Sequence, residues 1–482
     1  MKQAKGRRSD PAVLSFCVGR GTVRAMIRTA MLAATTLLFA VPATAQSISQ
    51  DDLQNRYDRA LAAGYKALFL CSAIANGERL AVRRDTAEVE GWELTGIQAP
   101  LADIIGELDH RIFRFDDGTG AVSHVEVDWA EDMPARLAWH RQQGGCSIAP
   151  IGTVRPPERE SVGYKDGWYH YHERIPADTP LSNVMSAAFE NAYGSDTRTT
   201  AVIVGGSEGD GSFRYAAGFN PATPQRTWSV AKSIAATLVG AAVLRGEANV
   251  EASAGLGESE EDPRQAISID DGLRMATGRY SDTPGNRTDP LYFGGATVDE
   301  VATDWPLVSR PGTVFRYANN DTLIAVQAIE ETFVEHPPSQ LFARLGMTGT
   351  VAETDWQGNY ILSSQVWATA PDLLRLGQLH LNDGVLPDGT RILPEGWVEY
   401  ISNPAGPQPG GSRGWGYGAG WWLLNSSEGI PADTFMAAGN RGQYIVVIPS
   451  RDIVIVRRGE DPAGGSGFDI EAFARDVLAA LD

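Results

Sequence analysis

From Ser233 to Leu244 the chain is apolar almost all the way round a helical turn. A helix with no polar face is normally buried, so the rest of the fold has to be arranged around this one. At its mouth stands Trp228-Ser229-Val230-Ala231-Lys232, and Lys232 is one of only five lysines in the 482 residues. Residues three apart share a helix face, which brings a hydroxyl and an amine together where water is scarce. An amine stripped of water loses its proton more easily and can then accept one from a serine. Arginine stays charged and cannot do this. In a chain that otherwise relies on arginine, a lysine inside an apolar segment marks a place where arginine would fail. Ser-x-x-Lys is a short pattern that also arises by chance, so it needs support from elsewhere.

The first 45 residues read as a leader. Arg20, Arg24 and Arg28 precede the apolar stretch 30–41, and Ala43-Thr44-Ala45 offers a small-residue cleavage site after Ala45. Met26 is an alternative start, and the apolar part is too short to span a bilayer comfortably. No later segment looks long and apolar enough to do so. Removing residues 1–45 takes away seven basic residues and one acidic residue, moving the formal net charge from −19 to −25. Such a surface repels nucleic acid and anionic lipid, and stable membrane insertion is not expected. The expected location is periplasmic or secreted. Cys71 and Cys146 then remain, most simply as one disulfide in an exported protein. No Cys-x-x-Cys or His-rich spacing suggests a metal. His170 and His172 would share a strand face but lack an evident third ligand. No cofactor is expected.

Residues 46–160 read as a small α+β unit with helical periodicity over 51–70 and a strand over 122–129. Pro150, Pro156, Pro157 and Ser161 mark a linker. Residues 161–482 form the second unit. It opens with strands at 200–204 and 212–217, followed by the Ser229 helix, which Gly246 ends. Short helices and loops fill 250–310, and a further helix covers 371–381. After a Gly/Pro-rich loop over 403–418 come strands at 420–424, 443–448 and 453–457. Asp469 then caps an amphipathic helix over 470–481. Terminal strands, a helical middle and a closing helix predict an antiparallel sheet covered by helices.

Two further stretches carry chemistry. Tyr317-Ala318-Asn319 follows a Pro311-Gly312 turn, so a tyrosine on that loop can relay protons and Asn319 can meet a substrate carbonyl. Alone, the pattern equally describes a core tyrosine beside a turn. Ala437-Ala438-Gly439-Asn440-Arg441-Gly442-Gln443 leads into the last hairpin. Small residues there let the backbone approach a ligand, and a free N–H can bind an oxyanion. A glycine bend in an edge strand accounts for the same residues.

In combination these stretches resemble the serine β-lactamase and penicillin-binding superfamily. The resemblance is strongest to class C-related members of the 6-aminohexanoate-dimer hydrolase-like and esterase-like kind, over about residues 165–482. Arg274 to Gly278, Leu345-Gly346-Met347 and Ile392 to Val398 also carry it. It implies an α+β, β-lactamase/transpeptidase-like fold, with an antiparallel sheet flanked by helices, a helical subdomain and a small N-terminal α+β unit. It also implies that Ser229 attacks an acyl carbonyl, with Lys232 as base and Tyr317 as proton relay. The N–H groups of Ser229 and Asn440 would form an oxyanion hole, with Asn319 and Gly439 at the substrate. The family's third motif often starts with Lys or His, which commonly engages a substrate carboxylate; here it starts with Ala437. That leans toward small amides or esters and away from a β-lactamase or peptidoglycan DD-peptidase, unless nearby Arg441 substitutes. A non-catalytic β-lactam or cell-wall sensor is the reading from another class. The oligomeric state is not legible.

Overall fold

The apolar runs Thr199–Gly205 and Ile453–Gly459 become neighbouring strands covered on both faces. The computed structural model describes residues 47–141, 145–157, 179–280, 288–411 and 414–482. The leader, Ser161 and the His170/His172 pair lie outside them.

The N-terminal lobe holds β1 (His110–Arg114), β2 (Val122–Val127), β3 (Arg136–His140) and β4 (Cys146–Ile148), an antiparallel sheet in that order. Helix Gln50–Arg79 packs across it, buried from Ala60 to Gly77. By length and composition this helix could cross a membrane, which the sequence reading did not anticipate, but its apolar window lies wholly inside the protein. Cys71 on the helix is bonded to Cys146 on β4, with Cα atoms 6.1 Å apart.

The main sheet begins with β5 (Thr199–Gly205) and β6 (Ser212–Tyr215). A small sheet of β7 (Gln225–Arg226), β8 (Val351–Ala352) and β9 (Val366–Ala368) follows, in the order β7–β9–β8. Strands β10 (Gly416–Tyr417), β11 (Trp422–Leu423), β12 (Phe435–Gly439), β13 (Gln443–Ile448) and β14 (Ile453–Gly459) complete the main sheet. Its order is β10–β11–β12–β13–β14–β5–β6, so the chain's end pairs with the start of the catalytic region. The small-residue stretch before β13 is itself strand β12, paired from Phe435↔Val447 to Gly439↔Gln443.

Period-two alternation divides the sheet's side chains between two cores. Val454 and Val456 of β14 face the core that holds helix Val230–Leu244, whereas Ile453 and Ile455 face helix Ile470–Leu481. Each such side chain, fully buried, contributes about 1.5–3 kcal/mol. The closing helix starts where its cap predicts, with Asp469 accepting from the Ala472 N–H. Gly246, at φ 75°, follows the end of the Ser229 helix.

Ser49–Asp482 forms one compact unit. Tyr65 and Phe69 of the lobe helix stack with centroids 4.3 Å apart, and Phe69 lies 5.8 Å from Trp228 beside the serine. The lobe helix passes close to the segment that carries Phe293. A Cβ on Gly64 would stand 2.0 Å from the Phe293 carbonyl oxygen, so nothing larger than glycine fits there.

Candidate active site

Ser229 is placed by a strained turn. It follows β7 and caps helix Val230–Leu244, and the residue before it, Trp228, has φ 51°. A bulky residue in the left-handed region costs about 1–2 kcal/mol and persists only where its surroundings hold it. Those surroundings include the Arg226 guanidinium, 4.1 Å from the centre of the Trp228 ring, and Phe69 beyond it. The turn leaves Ser229 half-buried at the edge of a cavity while the helix behind it is sealed.

Lys232 is 1% exposed. Its Nζ lies 3.0 Å from Ser229 Oγ, 2.7 Å from Asn319 Oδ1 and 2.9 Å from the Ser363 carbonyl oxygen. No carboxylate is among these partners, and burial pulls the amine down to about 7. The hydrogen-bond inventory matters here. A neutral amine has two N–H donors and one lone pair. The charged amine donates to all three oxygens; in the neutral form the Asn319 and Ser363 oxygens, which can only accept, take the two donors and free the lone pair for the Ser229 hydroxyl. Asn319 is fixed in turn by its Nδ2, which donates to Thr288 Oγ1 at 2.9 Å.

Tyr317 closes the group. Lys232 Nζ sits 5.0 Å from the centre of its ring. Burial raises the phenol to about 12, an effect opposed by hydrogen bonding with the Ser229 side chain and with Trp422. The loop that carries it folds back on the Arg274–Gly278 stretch. Gly312 N–H donates to the Ala276 carbonyl and Arg316 N–H to the Met275 carbonyl, both at 2.8 Å.

The end of β12 forms the opposite wall. A Cβ on Gly439 would lie 2.4 Å from the Thr227 carbonyl oxygen and 3.2 Å from Ser229 N. Glycine is therefore required for the strand to come this close to the serine. Among the described residues, neither the Ser229 N–H nor the Asn440 N–H has a hydrogen-bond acceptor. Both remain available to a bound oxygen.

The cavity these residues border holds about 430 Å³ and is also lined by Gln98, Asp289, Tyr292, Phe293, Trp415 and Trp422. Ser229, Tyr317, Asn319, Gly439 and Asn440 all line it. The disulfide does not. Arg441 does not act as the replacement cation that the sequence allowed. Its side chain is buried, its Nε lies 2.8 Å from Glu460 Oε2, and its Nη2 donates to the Trp92 and Thr95 carbonyls. Ala437 lies buried in β12 opposite Ile445. Among the described residues, no arginine, and no lysine other than Lys232 beneath the serine, borders the cavity. Its ionisable acid is Asp289, whose carboxyl burial lifts to about 7.

Sequence reading misses Ser363, Thr288, Asp289 and the tryptophans. Ser363 contributes only its backbone carbonyl to Lys232, which no residue type announces. Trp415 sits in the Gly/Pro-rich loop 403–418, where an aromatic residue among turn formers is the available signal.

Fold and site together define a class, a serine hydrolase built on a helix-covered antiparallel sheet. The profile of the family described as Beta-lactamase matches residues 189–457, more than half of the chain, and the protein belongs to that family. A 6-aminohexanoate-dimer hydrolase from Paenarthrobacter ureafaciens is 27% identical over 279 residues, 52% of this chain and 69% of that protein. Penicillin-binding protein 4 of Amycolatopsis lactamdurans is 32% identical over 95 residues. That match spans 19% of this chain and about a quarter (24%) of the relative's length. Among solved structures, a Bacillus anthracis protein provisionally assigned as a 6-aminohexanoate-dimer hydrolase superposes with TM-score 0.50 at 21% identity. The superposition covers 60% of this chain and 79% of that one, and it establishes the fold alone.

Proposed function

We propose that the protein is an exported hydrolase that cleaves small amides or esters through an acyl-enzyme on Ser229. The observation that carries this reading is the buried contact of Lys232 Nζ with Ser229 Oγ at 3.0 Å, made without a carboxylate partner for the amine. Lys232 takes the Ser229 proton as the hydroxyl attacks. Tyr317 does not begin the reaction, because its phenol is held at about 12 while the lysine is held at about 7. Near neutral pH the phenol is a donor, suited to protonating the leaving group while Lys232 passes the serine proton on to the phenol oxygen. Water then attacks the acyl-enzyme and gives its proton to this Lys232–Tyr317 relay, and the relay reprotonates Ser229 as the acid product leaves. The Ser229 and Asn440 N–H groups receive the oxyanion, and Asn319 lies at the substrate. The leader over residues 1–45 supports export to the periplasm or beyond.

The cavity's charge bears on the substrate. β-Lactams and peptidoglycan stem peptides carry a carboxylate, and among the described residues the cavity lining offers that group an acid but no arginine or lysine side chain. Uncharged or amine-bearing amides and esters are favoured. Incubating the protein side by side with p-nitrophenyl esters, 6-aminohexanoate dimer and nitrocefin tests this. Turnover of the p-nitrophenyl esters ahead of the two carboxylate-bearing substrates is expected; rapid nitrocefin turnover alone overturns the preference. A fluorophosphonate should label Ser229, located by peptide mass spectrometry. A penicillin adduct on Ser229 that never turns over would instead mark a sensor.

The pH profile follows from the lysine. Only its neutral form accepts a proton, so kcat/KM should climb about tenfold per unit below pH 7 and level off above it. A profile flat from pH 5 to 9 contradicts the assignment of the base.

A further inference from the structure

Among the described residues, the N-terminal lobe lines the cavity through Gln98, on the loop that follows helix Thr86–Trp92. The last turn of the helix and the loop are tied to the catalytic body through their carbonyls. Gly91 accepts from Arg198 Nη2 at 2.7 Å, and Gly96 accepts from the Ala463 N–H at 2.8 Å. Between them, Trp92 and Thr95 accept from Arg441 Nη2 at 2.9 and 2.7 Å. Arg441 directly follows Asn440 and has φ 57°, a conformation that arginine adopts only when something holds it. The tight turn between β12 and β13 requires it, Asn440 Oδ1 accepts from the Arg441 N–H at 2.9 Å, and the side chain is pinned to the loop and to Glu460. Three residues after Thr95, Gln98 lines the cavity. It is half-buried, and its side-chain amide has no hydrogen-bond partner among the described residues. None of residues 91–98 lies within the stretch 189–457 that matches the family.

We propose that this loop is a substrate-recognition element, in which Gln98 hydrogen-bonds an amide group of the substrate that flanks the bond being cleaved. Arg441 is the positioning residue, bracing the loop and the Asn440 corner against each other. A primary amide offers one acceptor and two donors, which complements a secondary amide and has little to offer an alkyl chain. A site built around such a group discriminates strongly against substrates that lack its partner. The proposal rests on the hydrolase reading above.

The test uses the full-length protein and three esters, each compared between variant and wild type: p-nitrophenyl butyrate, p-nitrophenyl N-acetylglycinate and the butyrate ester of N-acetylethanolamine. They carry no flanking amide, one on the acyl side and one on the leaving side. Gln98→Ala should lower kcat/KM for one amide-bearing ester roughly tenfold relative to p-nitrophenyl butyrate. Equal losses on all three, or none, overturn the recognition role. Arg441→Lys keeps the charge opposite Glu460 but loses the guanidinium that spans two carbonyls. It should depress kcat on all three esters with KM little changed and a native circular dichroism spectrum. Unchanged kcat, or a change confined to KM, removes the bracing role. If Arg441→Lys does not fold, the Gln98 comparison still decides the recognition claim. Ser229→Ala separates the two levels. Turnover surviving in that variant defeats the hydrolase reading, whereas an inactive Ser229→Ala with an unaltered Gln98→Ala ratio defeats only this inference.

Discussion

Replacing Lys232 by arginine should abolish ester and amide hydrolysis while leaving the protein folded. The loss expected is on the order of 10³-fold in kcat/KM, within the range a positioned general base supplies. Lys232 Nζ has three acceptors around it and no anion, and its surroundings are closed to solvent. A guanidinium can donate to Asn319 and to the Ser363 carbonyl, but it has no lone pair to receive the serine proton. It also stays charged where lysine does not. Progress curves with p-nitrophenyl butyrate, measured beside thermal melts of both proteins, check the result. Turnover near the wild-type rate in a folded Lys232→Arg protein would remove the lysine from the mechanism.

Gly439→Ala should lower kcat by about 10²–10³-fold, comparable to the loss of an oxyanion-hole donor. The added methyl would meet the Thr227 carbonyl oxygen at 2.4 Å, a backbone atom that cannot rotate away, and would crowd Ser229 N at 3.2 Å. Relief has to come from a shift of β12 away from the serine, which moves the Asn440 N–H out of line with the Ser229 N–H. Because both donors act on charge that develops in the transition state, kcat should fall more than KM rises. Steady-state kinetics on two esters, with fluorophosphonate labelling rates alongside, measure this. A Gly439→Ala variant that labels and turns over as fast as wild type shows that the β12 corner plays no part in the chemistry.

Much of this is legible in the residues themselves. The apolar run after Lys232 has no polar face and so has to be central, and the helix it forms lies between the sheet and its neighbours with Lys232 sealed inside. The Asp469 cap and the apolar spacing of Ile470, Phe473 and Val477 place the closing helix to the residue. Such local signals are written in side-chain chemistry and period. Strand β12 reads only as small residues leading into a strand, because Ala437, Ala438 and Gly439 carry little strand propensity of their own. Their pairing with Ile445, Tyr444 and Gln443 decides the matter. Arg441 reads as a cation near the substrate, but its side chain turns the other way, to Glu460 and two lobe carbonyls.

The sequence by itself determined which residue types meet at the mouth of the buried helix. A hydroxyl and an amine three positions apart on an apolar helix must share a face, and that constraint is local. Tertiary structure alone decided what surrounds them: the Ser363 carbonyl, the Asn319 amide, an acid on the cavity wall, and a glutamine delivered from the N-terminal lobe. Asn319 and Ser363 stand 87 and 131 positions from Lys232 along the chain. What such distant segments contribute is backbone atoms, burial and distance, none of which a residue's identity encodes.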